Sequence, residues 1–359
     1  MTNPKGRGAI SNDLSQRFGL AARAPDGDWL DWAAADGGLP PLRTTVAVEQ
    51  PKSALSRNDS PDIPFEQSFN AYRGCEHGCI YCFARPSHAW HDLSPGLDFE
   101  TRLFAKPTGP DLLRQEFARQ SYRPQVLAMG TNTDPYQPIE RDWHITRRVL
   151  ALCLETRHPL SITTKSGNVL RDLDLLAELA SLRLASVTLS VTTLDPTLAR
   201  AMEPRAAAPH RRLATIRALA TAGVPCFVSA SPMIPALNDH ELEAILQAAA
   251  GAGASGAYAQ MLRLPHEVAS LFEAWLRRHY PDRAGHVLSA IRAARGGRLN
   301  EARFHQRMRP DSEWGRLLAQ RLHIARLRFG LGGKAPSLRT DLFRRPAVDS
   351  TQGDLFALQ

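Results

Sequence analysis

Three of the five cysteines in this 359-residue chain lie within eight residues. Cys75, Cys79 and Cys82 have the spacing C-x3-C-x2-C, and the other cysteines are far away in the sequence. Iron–sulfur clusters are held by cysteine thiolates, usually four of them. A cubane held by these three residues alone would leave one iron free of protein ligands and able to bind a substrate or cofactor. The spacing therefore predicts an incompletely ligated [4Fe-4S] cluster.

Two other uses of the cysteines have to be weighed. A Cys3His zinc site, in which the protein supplies all four ligands, is an alternative. His77 lies within the cysteine segment, and His88 and His91 follow it. Disulfides are disfavoured, since no secretory signal opens the chain. Cys153 has helical spacing to apolar neighbours, and Cys226 begins an apolar run. Both are predicted to be buried core residues.

Size and composition exclude some classes of protein. The chain is long enough for a large core, so it is not a small module. It is 43% apolar and 22% charged, which is typical of globular proteins, and no apolar stretch reaches the length of a membrane helix. We expect a cytoplasmic protein with no membrane partner, because reduced thiols persist in that compartment.

The positive charge is concentrated near the C-terminus. Between His286 and Arg345 there are fourteen Lys or Arg and four Asp or Glu, a balance of +10 in a chain of net charge +8. Arginine pairs well with phosphate, so this segment could bind nucleic acid. A solvated helical face is the alternative, because basic runs are an unspecific signal.

Apolar periodicity predicts alternating strands and helices from residue 61 onward. The predicted strands lie near 67–73, 125–130, 160–164, 186–192, 225–230 and 257–264. The predicted helices lie near 110–120, 141–157, 169–183, 209–222, 239–252 and 266–279. Such alternation favours an α/β fold with a parallel sheet, here a partial (β/α)6 TIM-like barrel. We expect an irregular leader at 1–60, the barrel at 61–285, and a basic, mainly helical extension at 286–359.

Polar residues mark one side and one end of this barrel. In the strand near 186–192, Ser and Thr alternate with Val and Leu, which predicts a polar inner face and a wet or ligand-filled lumen. Polar loops follow the strands, at 130–140 and at Lys165 and Ser166. Loops at the carboxyl ends of barrel strands build active sites, so the cysteine segment and these loops are expected on one rim.

Three segments carry a family resemblance: the cysteine segment, the following Phe83-Ala84-Arg85-Pro86-Ser87-His88, and the segment 130–140 (GTNTDPYQPIE). They resemble the radical SAM superfamily, in its branch near spore photoproduct lyase. The similarity spans residues 62 to about 285. It implies a [4Fe-4S] cluster whose open iron is chelated by S-adenosylmethionine. It also implies reductive cleavage to a 5′-deoxyadenosyl radical that abstracts hydrogen from a substrate. An external electron donor of the flavodoxin or ferredoxin type is implied as partner.

The resemblance also implies cofactor contacts. Tyr81 matches the position that packs near adenine, and Asn132 and Asp134 lie where the superfamily often contacts the methionine amino group. Lys165 and Ser190 match positions near the methionine carboxylate. Arg212, which follows the pair Glu203-Pro204 in sequence, is a further candidate to bind that carboxylate.

Two departures separate this chain from spore photoproduct lyase itself. The loop Thr131-Asn132-Thr133 has no thiol to donate hydrogen, and Phe83 stands where the lyase has a tyrosine. The sequence therefore predicts a radical SAM enzyme of unassigned substrate. Repair or modification of nucleic acid is one alternative, and a non-catalytic, metal-stabilised nucleic-acid-binding module is another.

Overall fold

A twisted sheet of parallel strands forms the centre of the fold in the computed structural model, which describes residues 6–18, 42–308, 310–333 and 337–347. Its order is β10-β9-β8-β7-β6-β3-β2, with all neighbours parallel except β2 and β3. The strands of the described chain are β1 Thr45–Val48, β2 Ser56–Arg57, β3 Gln67–Phe69, β4 Tyr72–Arg73, β5 Arg102–Ala105, β6 Leu127–Met129, β7 Leu160–Thr164, β8 Ala185–Ser190, β9 Cys226–Met233 and β10 Gly256–Met261.

Helices connect the parallel strands and cover the outside of the sheet. The α-helices of the described chain are α1 Asp98–Thr101, α2 Gly109–Ala118, α3 Glu140–Trp143, α4 Ile145–Glu155, α5 Leu173–Ser181, α6 Pro196–Met202, α7 Pro209–Thr221, α8 Leu242–Gly251, α9 Val268–His279, α10 Pro281–Ala294 and α11 Glu313–Arg328. Short 3-10 helices cover Gln16–Phe18, Arg85–His91, Gly167–Asp172 and Asp239–Glu241. The predicted fold class, a partial TIM-like barrel with six parallel strands, is confirmed.

The two faces of the sheet differ as the sequence predicts. In β8, Val187 and Leu189 are fully buried and join the core that the helices cover. Ser186 and Thr188, which alternate with them, keep partial solvent access. Thr188 lies beside Thr163 of β7, which is exposed. A polar, solvent-accessible row therefore runs across neighbouring strands and lines the open side of the barrel.

A second, three-stranded sheet supports the cysteine segment. β5 pairs in parallel with β1 and antiparallel with β4. The predicted strand at 67–73 is thus wrong as a single element, because the chain turns at Asn70 between β3 and β4. The Asn70 side chain causes this turn, since its Oδ1 accepts hydrogen bonds from the backbone N–H groups of Asn132 (3.0 Å) and Thr133 (3.4 Å). Residues 74 onward therefore leave from the smaller sheet.

Other predicted elements need smaller corrections. The helix predicted at 141–157 is divided at His144, which has a positive φ of 52°, and the Glu140 carboxylate accepts from Thr146 N–H at the new start. The helix predicted at 169–183 begins as a 3-10 turn at Gly167. The predicted elements do not include the short helices α1 and α6 or the short strands β1, β2 and β5. The helix predicted at 209–222 is observed as α7, with Pro209 at its first position and Gly223, at a positive φ of 75°, after its end.

The terminal parts are only partly described. Portions of the predicted leader and extension, including Arg309 and Lys334, lie outside the described residues. α10 runs across the predicted boundary between 285 and 286, and the division into three parts stays a prediction. No helix in the described ranges combines the length and apolar character needed to span a bilayer.

Acid should destabilise this fold through His158. Burial lowers the pKa of His158 from 6.5 to about 4, and its ring stacks on Phe117 while its Nε2 lies 2.7 Å from the Tyr122 hydroxyl. The folded state therefore binds this proton less readily than the unfolded chain. Neutral His158 therefore contributes about 3 kcal/mol to the unfolding free energy. This contribution is complete above pH 6.5 and is lost as the pH falls toward 4.

His158→Phe removes this titration but keeps a ring for stacking, and Tyr122 retains its 2.8 Å contact with Gln67. We expect the unfolding free energy of the parent minus that of the variant to fall by about 3 kcal/mol between pH 7 and pH 4. Urea unfolding at stepped pH measures this difference. Parallel pH profiles for the two proteins would contradict the assignment.

Candidate functional site

The three clustered cysteines lie on one loop, at the rim formed by the carboxyl ends of the parallel strands. Cys75 and Cys79 are buried and Cys82 is partly buried, and all three are free thiols. The Cys75 N–H donates to the carbonyl of Phe99 at 2.9 Å. The loop then turns through bonds from Gly78 N–H to Cys75 O (3.3 Å) and from Cys82 N–H to Cys79 O (3.2 Å). Backbone bonds thus fix all three positions.

Two glycines allow this loop to form. Gly74 and Gly78 have φ values of 72° and 67°, a region that favours glycine. A Cβ at Gly74 would lie 2.5 Å from the Leu103 side chain and 2.8 Å from the Phe99 carbonyl oxygen. A Cβ at Gly78 would lie 2.8 Å from the Glu100 carboxylate. A side chain at either position would displace the loop.

A buried ion pair holds the loop from below. Arg85 and Glu100 are both fully buried, and their closest atoms are 2.5 Å apart. Arg85 also donates to the carbonyls of Cys79 (2.9 Å) and Gly78 (3.1 Å). Glu100 accepts from the N–H of Gly8 at 2.9 Å. The pair therefore ties the cysteine loop to the described start of the chain.

Gln137 holds the loop from the other side. Its side-chain nitrogen donates to the Gly74 carbonyl at 3.1 Å, and its oxygen accepts from the Glu76 N–H at 2.9 Å. These two bonds flank Cys75 directly. Gln137 is fully buried, so water cannot replace either bond.

Asp134 joins the cysteine loop to the ends of β6 and β7. Its carboxylate lies 3.3 Å from His77 Nδ1 and accepts from the Thr164 hydroxyl (2.7 Å) and the Lys165 N–H (2.8 Å). Burial alone would raise the pKa of Asp134, but His77 and these hydrogen bonds lower it to about 2. Asp134 is therefore an ionised anchor.

Lys165 brings a positive charge to the inside of the rim. Its Nζ lies 5.8 Å from the centroid of the Tyr81 ring and makes no hydrogen bond or ion pair within the described ranges. Burial alone would lower the pKa of Lys165, but Cys79 and the Glu203 carboxylate outweigh it and raise that pKa. The side chain thus keeps an ammonium that lacks a bonded anion.

A second buried network lies beside Lys165. Glu203 binds the Tyr81 hydroxyl and the Arg212 guanidinium, and it accepts from the Thr192 hydroxyl at 3.0 Å. Arg212 also donates to the Ser190 carbonyl at 2.9 Å. Burial opposes ionisation of Glu203, but Arg212 and Lys165 lower its pKa on balance. Arg212 is therefore a buried ion-pair partner.

Most of the predicted site residues come together on this rim. Direct or electrostatic contacts connect the following residues: Cys75, Cys79, Cys82, Tyr81, Asp134, Lys165, Ser190 and Arg212. Asn132 lies on the same loop as Asp134, and its backbone binds Asn70. No contact joins the Asn132 side chain to the other predicted residues in the part of the chain that the structure describes.

The donor set fits an iron–sulfur cluster. Burial raises the pKa of Cys79 to about 12 and that of Cys75 well above its usual value. Metal ligation requires thiolates, so bound iron would supply the positive charge that they need. No three His, Cys, Asp or Glu side chains among the described residues are gathered closely enough for a single metal ion. A cubane requires wider separation, because each thiolate binds a different iron.

Two of the three histidines that could close a zinc site, His77 and His88, contact other groups. His77 contacts Asp134, and the His88 Nε2–H donates to the Arg102 carbonyl at 2.9 Å. His88 also packs edge-on against Phe99 behind the loop, where burial lowers its pKa to about 4.

Sequence reasoning did not single out Gln137, Glu203 or Glu100 as parts of the site. Each is a buried polar residue that binds the loop or its neighbours. Gln137 lies inside the segment 130–140 that carries the family resemblance, so its position was a usable signal. Glu203 and Glu100 have no local pattern that predicts their distant partners.

Comparison with known proteins gives a family match. A sequence model of the radical SAM superfamily matches residues 69–249. An uncharacterized protein of Mycobacterium tuberculosis is 39% identical over 234 residues, which cover 64% of this chain and 69% of the relative. An uncharacterized protein of Methanocaldococcus jannaschii is 31% identical over 172 residues, which cover 48% of this chain and 62% of the relative.

The fold is also similar to a solved structure. A point mutant of spore photoproduct lyase superposes with a TM-score of 0.56 and 14% identity, covering 80% of each chain. At this level of identity the likeness concerns the fold.

The Gln137 contacts should stabilise the cysteine loop independently of any cofactor. Gln137→Leu leaves the Gly74 carbonyl and the Glu76 N–H without partners in a buried position, which costs about 1–3 kcal/mol for each group. We expect a lower unfolding free energy and faster hydrogen exchange at Glu76 in the metal-free protein. Gln120→Leu, at an exposed position, is the control. Equal stability and exchange in both variants would show that Gln137 does not position the loop.

Proposed function

Because this chain belongs to the radical SAM superfamily, we propose that Cys75, Cys79 and Cys82 hold a [4Fe-4S] cluster and that the adjoining lumen binds S-adenosylmethionine. Radical SAM enzymes use these two cofactors together with an external reductant. When bound, they supply reductive cleavage of the sulfonium and hydrogen abstraction from a substrate. Binding, orientation and exclusion of water are the tasks of the protein.

One observation carries this proposal. A loop that is fixed by Arg85 and Gln137 presents three free thiols beside the ammonium of Lys165, which has no bonded anion among the described residues. Three thiolates leave one corner of a cubane open. An unpaired ammonium beside that corner suits the carboxylate of an amino acid cofactor.

The neighbouring residues take distinct roles in this proposal. Lys165 binds the methionine carboxylate, and Ser190 and Asn132 add polar contacts. Tyr81, held through its hydroxyl by Glu203, offers its ring to the adenine. Asp134 and Arg212 are already bonded to protein groups, so they act by fixing Lys165 and Glu203 respectively.

The reductant is proposed to be a one-electron carrier of the flavodoxin or ferredoxin type. We place the enzyme in the cytoplasm, where such carriers and reduced thiols occur together.

Nucleic acid as a substrate receives less support from the predicted basic extension. Many of its arginines pair with carboxylates inside the molecule, namely Arg303, Arg307, Arg316, Arg321 and Arg339. Arg295 is buried and donates to the Leu262 carbonyl at 2.5 Å. Five arginines of this segment thus already have carboxylate partners, and we propose the activity without assigning nucleic acid as its substrate.

Anaerobic reconstitution should load about four irons and four sulfides per chain. We expect Cys75→Ala, Cys79→Ala and Cys82→Ala each to lose most of this iron, because no other thiol in the described chain is close to the loop. Cys153→Ala and Cys226→Ala are matched controls, since both residues are buried cysteines outside the site. Iron and sulfide analysis and the absorption spectrum measure the result.

The loaded enzyme with dithionite and S-adenosylmethionine should release 5′-deoxyadenosine. About one equivalent of zinc without sulfide would instead favour a non-catalytic, metal-stabilised module. A well-loaded cluster that releases no nucleoside would contradict the proposed activity.

Lys165→Met should weaken the binding of S-adenosylmethionine by about tenfold to a hundredfold, since a charge-assisted hydrogen bond contributes about 1.5–3 kcal/mol. Equilibrium dialysis with the reconstituted protein measures the affinity. Lys106→Met is the control, because Lys106 is a partly buried lysine beside the smaller sheet. Equal affinity in the parent and in Lys165→Met would remove Lys165 from the proposed cofactor site.

A further inference from the structure

The segment 196–217 packs directly against the outer side of the cysteine loop. The Ile80 N–H donates to the Met202 carbonyl at 3.0 Å, and the Arg205 N–H donates to the His77 carbonyl at 3.3 Å. The Arg205 guanidinium lies 3.1 Å from the Glu76 carboxylate. Buried residues of this segment thus hold the cysteine loop, and its exposed residues form the surface beside the loop.

A surface cleft of about 420 Å³ lies at this junction. His77 of the cysteine loop, Asn168, Arg205 and Arg211 are among the residues that line it. Arg211 is exposed, and its guanidinium has no hydrogen bond or ion pair within the described ranges. The cleft thus combines a loop residue with cationic side chains that are accessible to a partner.

Exposed charge on this segment has one sign. Its exposed arginines are Arg200, Arg205, Arg211 and Arg217, and its only carboxylate, Glu203, is buried against Arg212. Of the twelve described arginines of the C-terminal extension, five pair with carboxylates. A positively charged surface on which only Arg205, through Glu76, has a carboxylate partner among the described residues therefore lies next to the proposed cluster.

His77 and Asp134 connect this cleft to Lys165. His77 lines the cleft and contacts Asp134, whose carboxylate also binds the Lys165 backbone. Lys165 and Tyr81 belong to the other side, where S-adenosylmethionine is proposed to bind. A molecule in the cleft would approach the cysteine loop without entering the substrate chamber.

We propose that this surface, defined by Arg205, Arg211 and the cleft at His77, docks the acidic protein that delivers the electron. The inference rests on the proposed function, which requires an external reductant. The reduced carrier loses one electron, and the oxidised cluster behind the loop gains it. Charge complementarity favours an acidic carrier of the flavodoxin type, because oppositely charged surfaces speed encounter and fix orientation.

The test compares two charge reversals on one helix. Arg211→Glu changes the cleft, whereas Arg217→Glu makes the same change about 120° away around α7. Calorimetric titration of the full chain with an acidic bacterial flavodoxin, at roughly 50 mM salt, measures binding. We expect about fivefold to tenfold weaker binding for Arg211→Glu, a change below about twofold for Arg217→Glu, and loss of binding at high salt.

The rate at which flavodoxin hydroquinone reduces the cluster, measured by stopped flow, should fall clearly in Arg211→Glu and little in Arg217→Glu. The rate of reduction by dithionite should be equal in the parent and both variants. Equal losses for both variants would overturn the proposal, because they would reflect net charge alone. Unchanged binding, or an oligonucleotide that binds through Arg211 in place of flavodoxin, would also overturn it. Failure of dithionite to reduce the parent cluster would instead contradict the proposed function, and the calorimetry stays interpretable without the cluster.

Discussion

The cysteine loop depends on the buried pair formed by Arg85 and Glu100. Removing one partner of such a pair leaves an uncompensated buried charge, which costs about 3–5 kcal/mol. A buried pair is tolerated when its remaining donors and acceptors are also matched. Here Arg85 donates to carbonyls of the loop, and Glu100 accepts from the N–H of Gly8. The remaining donors and acceptors of the pair are therefore satisfied only when the loop and the N-terminal segment are both in place, which couples the position of the thiols to folding.

The same requirement explains why the lumen is left with one unmatched cation. Asp134 contacts His77, and Glu203 pairs with Arg212, so each buried carboxylate has its own partner. Lys165 lies close enough to both carboxylates for them to raise its pKa, yet its Nζ bonds neither within the described ranges. An ammonium in a half-buried position attracts an anion more strongly than it would in water. The lumen is thus prepared for a negatively charged group by the way its other charges are paired.

The sequence predicted the six parallel strands, the polar inner face and the cysteine loop, because these depend on short-range periodicity and spacing. It could not predict contacts between residues far apart in the chain. Tyr81 meets Glu203 across 122 positions, and Arg307 meets Asp62 across 245. The turn at Asn70 was missed for the same reason, since the loop that it binds follows the next strand of the sheet. The count of charged residues identified the basic extension, but it could not show which of its arginines pair with carboxylates.

Pairing as well as composition therefore determines where this surface is positive. The segment 196–217 has fewer arginines than the extension, but its exposed ones lack carboxylate partners apart from Arg205, which contacts Glu76. Lys165 on the inside and Arg205 on the outside place cations on both sides of the cysteine loop. A cluster held there would gain negative charge on reduction, and nearby positive charge stabilises the more negative state. Net charge and solvent exposure are among the properties that set cluster potentials. The flanking cations would thus make the cluster easier to reduce than the same thiolates in a neutral environment.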